Sequence, residues 1–234
     1  MEGQTGMNGA GEGIVYDAYL EVYDDGSCLA QLLDLIGCYA RERSEAAALE
    51  ALNERIPAYY AWLSRHDEYT PVVYGPFRVA PVVRMRVSGH TGAFFSPAAE
   101  PVSDEDLDWA LALLNWAHTD FYTGIETAQA RSGGVGGRAL ALADTTAQTQ
   151  LWLLSRLEPR PATVSVGQLA GTPLDRFHQV WLASLARLRS TSEEERQQLL
   201  NHEGEWWTLR KVLWRSILAV REATDALELL ESLE

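Results

Sequence analysis

Three histidines, His118, His178 and His202, fall within or beside segments that read as helical, and imidazole is a common ligand for zinc and its neighbours. No two of them stand three or four residues apart on one helix, the spacing that aims two rings at one ion. They are the candidates for a metal site. The plainer reading is that His118 and His178 are partly buried and hydrogen-bonded and that His202 sits in a loop. His66 and His90 lie outside this region. Nucleophilic chemistry has less to draw on: there is no Gly-x-Ser-x-Gly elbow, and Ser184 and Ser216 have no base at fixed spacing. Among thirty-three acidic residues, Glu222 stands out because it follows Arg221, and an ion pair that orients a helix is its expected role. Cys28 and Cys38 have no neighbouring histidine pair and are too few for a disulfide framework, so they read as buried small hydrophobes. The run Gly133-Gly134-Val135-Gly136-Gly137 could offer amides to an anion. It follows no strand and lacks the dinucleotide spacing, so it reads as a flexible loop.

These residues sit in a chain of 234, enough for one large domain or two small ones. Hydrophobic residues make up 47% and charged residues 22%, a globular rather than a disordered composition. No apolar run approaches the ~20 residues that span a bilayer. Residues 1–12 are Gly-rich and acidic, read as a flexible N-terminus, and lack a signal-peptide pattern. The expected compartment is cytoplasmic. A formal net charge of −14 disfavours phosphate backbones and anionic membranes, so neither nucleic acid nor membrane is an expected partner. Lys211 is the single lysine, and no function is drawn from that. Seven of the eight tryptophans lie in the helical region, where they read mostly as core. Trp109 and Trp116, seven apart and off the main apolar stripe, are candidates for a homodimer interface. Other rings could wall a pocket for a small apolar ligand.

Ile14 to Asp24 alternates in polarity and predicts a strand. Asp24-Asp25-Gly26-Ser27 predicts a tight turn, Cys28 to Leu33 the returning strand, and Gly37 to Ala40 a short extended piece. Ser44 is placed to cap a helix striped by Ala48, Leu52, Ile56, Tyr59 and Leu63, which Pro57 should kink or split. Phe77 to Val87 predicts a strand with its odd-numbered residues on one face. The words Tyr19-Leu20-Glu21-Val22-Tyr23-Asp24-Asp25-Gly26, Leu35-Ile36-Gly37-Cys38-Tyr39-Ala40, Ser44-Glu45-Ala46-Ala47 and Tyr59-Tyr60-Ala61-Trp62-Leu63 occur in that order. In this the segment resembles a HicB-like domain, assigned to residues 13–91. The resemblance implies binding of a partner protein, as in toxin–antitoxin systems. No helix-turn-helix or ribbon-helix-helix segment accompanies it.

Gly92 to Pro101 reads as a linker, with Phe94 and Phe95 expected to pack. Ser103-Asp104-Glu105-Asp106 opens a helix striped by Leu107, Leu111, Leu114, His118, Phe121 and Ile125. A second helix is predicted over Ala139 to Leu157, stopped by Pro159 and Pro161. A third covers Pro173 to Leu188. Ser192 starts a short turn, and Thr208 caps a last helix lined by Leu209, Leu213, Ser216, Val220, Ala223, Leu227 and Leu230. Glu205-Trp206-Trp207-Thr208-Leu209-Arg210-Lys211-Val212-Leu213-Trp214-Arg215, with Trp152-Leu153-Leu154-Ser155-Arg156-Leu157, resembles DinB-like four-helix bundles, over residues 102–234.

Metal-binding DinB-like proteins use one histidine on the second helix and two, four residues apart, on the fourth. The resemblance places these at about Asp144 or Thr145, and at Ala219 and Ala223. Alanine has no donor atom, and one aspartate does not hold a transition metal. The expectation is therefore an α+β protein, a HicB-like sheet-plus-helix domain followed by a DinB-like bundle, without metal or other cofactor. Its expected function is non-catalytic binding or regulation, as a homodimer, with a small apolar ligand or a protein partner. Two alternatives stand beside it: a metal- or thiol-dependent transferase with a rearranged site at His118, His178 and His202, and an antitoxin-like binder of a small basic protein.

Overall fold

The computed structural model describes residues 13–66, 77–88, 92–130, 135–160 and 165–232. The chain is α+β, with strands and one helix first and a helical region after them. It divides into two compact units at residue 86/87, with the short piece Leu35–Gly37 grouped with the second.

The first unit holds four strands, β1 (Ile14–Tyr23), β2 (Cys28–Leu32), β3 (Cys38–Glu42) and β4 (Phe77–Val87), and the helix α1 (Glu45–Arg65). The sheet order is β3-β2-β1-β4. β1 and β2 pair antiparallel from Val22↔Cys28 to Ala18↔Leu32. Gly26, at φ 84°, makes the turn between them, and its amide donates to Tyr23 O at 3.0 Å. β3 runs antiparallel to β2 from Cys28↔Glu42 to Leu32↔Cys38. That register puts the two cysteines at opposite ends of the pair, and both are buried free thiols. Burial, and next the Glu45 carboxylate, push the Cys28 thiol above its usual range.

Ser44 caps α1, its side chain accepting from the Ala47 amide at 3.3 Å. Ala48, Leu52, Ile56, Tyr59, Trp62 and Leu63 form the buried stripe. Pro57 does not split this helix, contrary to one expectation from sequence. Pro57 and Asn53, the residue whose carbonyl loses its amide donor, are both exposed, so water can serve that carbonyl. In β4 the odd-numbered residues apart from Pro81 are the more buried, in line with the alternation. Phe77 meets Tyr16 of β1 edge-on at 5.8 Å.

The second unit is built on four long helices, α2 (Asp104–Ala130), α3 (Val135–Ser155), α4 (Pro173–Arg189) and α6 (Leu209–Ser232), with a short α5 (Glu193–Arg196). α2 and α3 pack on each other and on both α4 and α6. Segment 92–101 belongs to this unit: Phe95 is 3% exposed, and Thr208 Oγ1 donates to Ala98 O at 2.6 Å. Reciprocal capping boxes open α2, α4 and the short α5, the last through Ser192 and Glu195. Ser103 and Asp106 open α2, with Asp106 N to Ser103 Oγ at 3.0 Å. Thr172 and Asp175 open α4, with Thr172 N to Asp175 Oδ2 at 2.8 Å. At Gly124 of α2 a Cβ would lie 2.8 Å from Leu227 Cδ2, so glycine lets α6 approach closely there.

Two boundaries differ from the sequence expectation. α3 starts at Val135, so Gly136 and Gly137 are helical rather than loop. Ala139, Ala143 and Ala147, all fully buried, supply packing that offsets the roughly 1 kcal/mol cost of each helical glycine. Gly133 and Gly134 lie outside the described residues. Residues 200–207 form an unexpected hairpin, β5 (Leu200–His202) with β6 (Glu205–Trp207). Its two-residue turn has Glu203 at φ 55° and Gly204 at φ 90°, the geometry that matches strand twist. Glu205-Trp206-Trp207 is therefore a strand, and the last helix opens only after Thr208, whose Oγ1 accepts from Lys211 N at 3.2 Å.

Candidate functional site

The α2 stripe buries His118 completely. Its Nδ1 lies 2.8 Å from Leu114 O. A carbonyl only accepts, so Nδ1 carries the hydrogen and Nε2 presents a lone pair. Burial pushes the imidazole down to about 3, partly opposed by that hydrogen bond. His118 is thus neutral at physiological pH, and a weak base.

α4 brings its aromatic face against this ring. The Trp181 indole stacks on His118 with centroids 5.4 Å apart and planes 13° apart. Phe177 approaches His118 at 5.4 Å and meets Phe121 edge-on at 5.1 Å. His178 stands perpendicular to Trp181 at 5.3 Å and lies 5.6 Å from Tyr122. Burial, then the Glu126 and Asp175 carboxylates, raise the Tyr122 phenol. Three buried polar atoms of this cluster have no hydrogen-bond partner: His118 Nε2, His178 Nδ1 and Trp181 Nε1. Buried polar atoms are paired in about nine cases of ten. Three such atoms in one aromatic cluster offer an acceptor, a donor and a tautomer-dependent nitrogen to an incoming molecule. None of the rings contributes a carboxylate, and a neutral imidazole this weakly basic is poorly matched to proton abstraction at pH 7.

The three metal candidates do not form one group. His118 and His178 both touch Trp181. His202 lies on β5, where Nε2 is 3.0 Å from Arg156 O. Among the described residues no three His, Cys, Asp or Glu side chains gather as a metal would require. Asp144 is held by Arg176 of α4, with Nε to Oδ1 at 3.0 Å and Nη2 to Oδ2 at 2.5 Å. Thr145 is exposed, Ala219 half-buried and Ala223 buried. On α3 the polar side chain that reaches α6 is Gln150, whose Nε2 donates to Ser216 O at 3.0 Å. Gln150 and Ser216 are fully buried, and Gln150 Oε1 and Ser216 Oγ lack partners.

Sequence reasoning missed Tyr122 and Trp181 as partners of His118 and His178. The available signal was His118 at a core position of α2 facing an aromatic-rich helix. Gln150 carried a similar one, since it continues the Ala143–Ala147 row as a polar residue in an otherwise small, apolar face. Trp109 and Trp116 pack edge-on against each other at 5.7 Å, each half-buried. Comparison of the chain with protein-family models, with curated proteins and with solved structures returns no match.

Proposed function

We propose that this is a non-catalytic binding protein, and that its second unit is a DinB-like bundle that receives a small uncharged ligand between α2 and α4. The observation that carries this reading is the set of three partnerless buried nitrogens, on His118, His178 and Trp181, inside an aromatic cluster. Flat rings supply dispersion and exclude water, while a few polar atoms fix orientation, the usual division of labour in a ligand site. Because His118 stays neutral, the site suits neither an anion nor a cation. It suits a flat molecule that donates an N–H or O–H to His118 Nε2. Trp181 is half-buried and lies over His118, so it must turn aside to admit the ligand.

Indazole and 2-quinolinone are suitable uncharged probes, with benzoate and benzylammonium as charged controls. In nitrogen–proton correlation spectra the uncharged probes should shift the Trp181 indole N–H, and His118→Phe should abolish the shift. If no probe moves that resonance, or the charged controls move it equally, this reading fails. A second reading, a transferase with a rearranged metal or thiol site, rests on the two imidazoles that meet at Trp181. Metal retained through His118 and His178 would favour it.

A further inference from the structure

We infer that the open edge of β4 is a docking strand, and that its partner is an extended acidic segment of another protein added beside β4. β4 has one neighbour in the sheet, β1, so its other edge is unpaired among the described residues. An unpaired edge offers a row of backbone donors and acceptors to an incoming strand. The strand FRVAPVVRMRV carries three arginines and no acid, in a chain whose net charge is −14. Arg78, Val82, Arg84 and Arg86 alternate onto one face and are all exposed. Arg84 is paired with Glu45 of α1. Arg78 and Arg86 have no ion-pair partner among the described residues.

The same pattern argues against a second copy of this chain as the occupant. Antiparallel self-pairing centred on Val82 would set Arg78 opposite Arg86 on both sides of the axis, like charge against like. An acidic strand meets the opposite situation, since carboxylates at every second residue fall opposite the arginine face. Arg78 and Arg86 are eight residues apart, roughly 27 Å along an extended strand, so a matching segment needs about nine residues.

The test uses the full chain and a labelled peptide, Glu-Val-Glu-Val-Glu-Val-Glu-Val-Glu, followed by fluorescence anisotropy. Controls are the lysine-for-glutamate peptide and one of the same composition with its five glutamates in a block. The alternating acidic peptide should bind saturably, weaken with salt, and slow hydrogen exchange of the β4 amides. The double variant Arg78→Glu, Arg86→Glu, whose side chains are exposed and unpaired, should weaken it about tenfold or more. Far-ultraviolet circular dichroism checks that this variant is folded, and the wild-type peptide comparison decides the matter if it is not. The proposal is overturned if the alternating peptide does not bind, if the block peptide binds equally, or if the double variant binds unchanged. It is also overturned if β4 amides are already protected in a concentration-dependent way, because a second copy then occupies the edge.

Discussion

Lys211 Nζ lies 2.9 Å from Glu205 Oε1, so the single lysine of the chain ties the start of α6 to the hairpin before it. The ammonium also donates to Gly92 O at 2.9 Å and to Trp206 O at 3.1 Å, and sits 4.1 Å from the Trp207 ring centroid. Three acceptors meet its three N–H groups. Lys211 is 2% exposed, so removing its charge leaves Glu205 and two carbonyls without their donor. Lys211→Met should lower unfolding free energy by about 3 kcal/mol. Urea denaturation measures it; a loss below about 1 kcal/mol would mean that water replaces the ammonium readily.

His118 makes stability depend on pH. Its folded pKa is depressed to about 3 from 6.5. Between those values the unfolded chain binds the extra proton, so stability is fully present above 6.5 and falls as pH drops toward 3. From pH 6.5 to 4.5 this contributes a loss of roughly 2 kcal/mol. His118→Phe should remove that slope while carboxylate effects remain. Equal slopes for the two proteins in denaturation series would show that His118 is not buried neutral.

The second unit should fold alone, but its N-terminus matters. A fragment starting at Gly92 keeps the Lys211 bond to Gly92 O and the buried Phe95. One starting at Pro97 loses both. The first should show native near-ultraviolet circular dichroism and melt well above the second. Identical melting would show that segment 92–96 contributes nothing to this unit.

Most of the fold was legible because its signals are local. Ser44, Ser103 and Thr208 announce helix starts through a hydroxyl within reach of the first-turn amides, and the α2 stripe repeats at helical spacing. The hairpin at 200–207 was not legible. Glu203-Gly204 is a poor match to the usual turn pair, and Trp206-Trp207 suits a helix opening as readily as a strand. The start of α3 was hidden by glycines whose cost is offset by tertiary packing. Of the site, His118 and His178 were visible as residue types. Their meeting at Trp181 depends on how α4 lies against α2, which spacing within each helix does not encode.

Trp109 and Trp116 cover part of each other, yet both stay half-buried. We propose that a second copy of the chain covers the rest, in a closed two-fold dimer. Trp116→Glu should convert that dimer to monomer in sedimentation velocity. A wild-type chain that sediments as a monomer at micromolar concentration would show that no second copy covers these rings.

We propose that the bundle works without the transition-metal site of metal-binding DinB-like proteins, and metal analysis of untagged native protein decides the point. The protein should hold no stoichiometric zinc, nickel or iron, and its melting temperature should be unchanged by chelator, because no metal-binding energy is linked to folding. A stoichiometric metal that is lost on His118→Ala or His178→Ala would overturn this reading and make the cluster at Trp181 a metal centre.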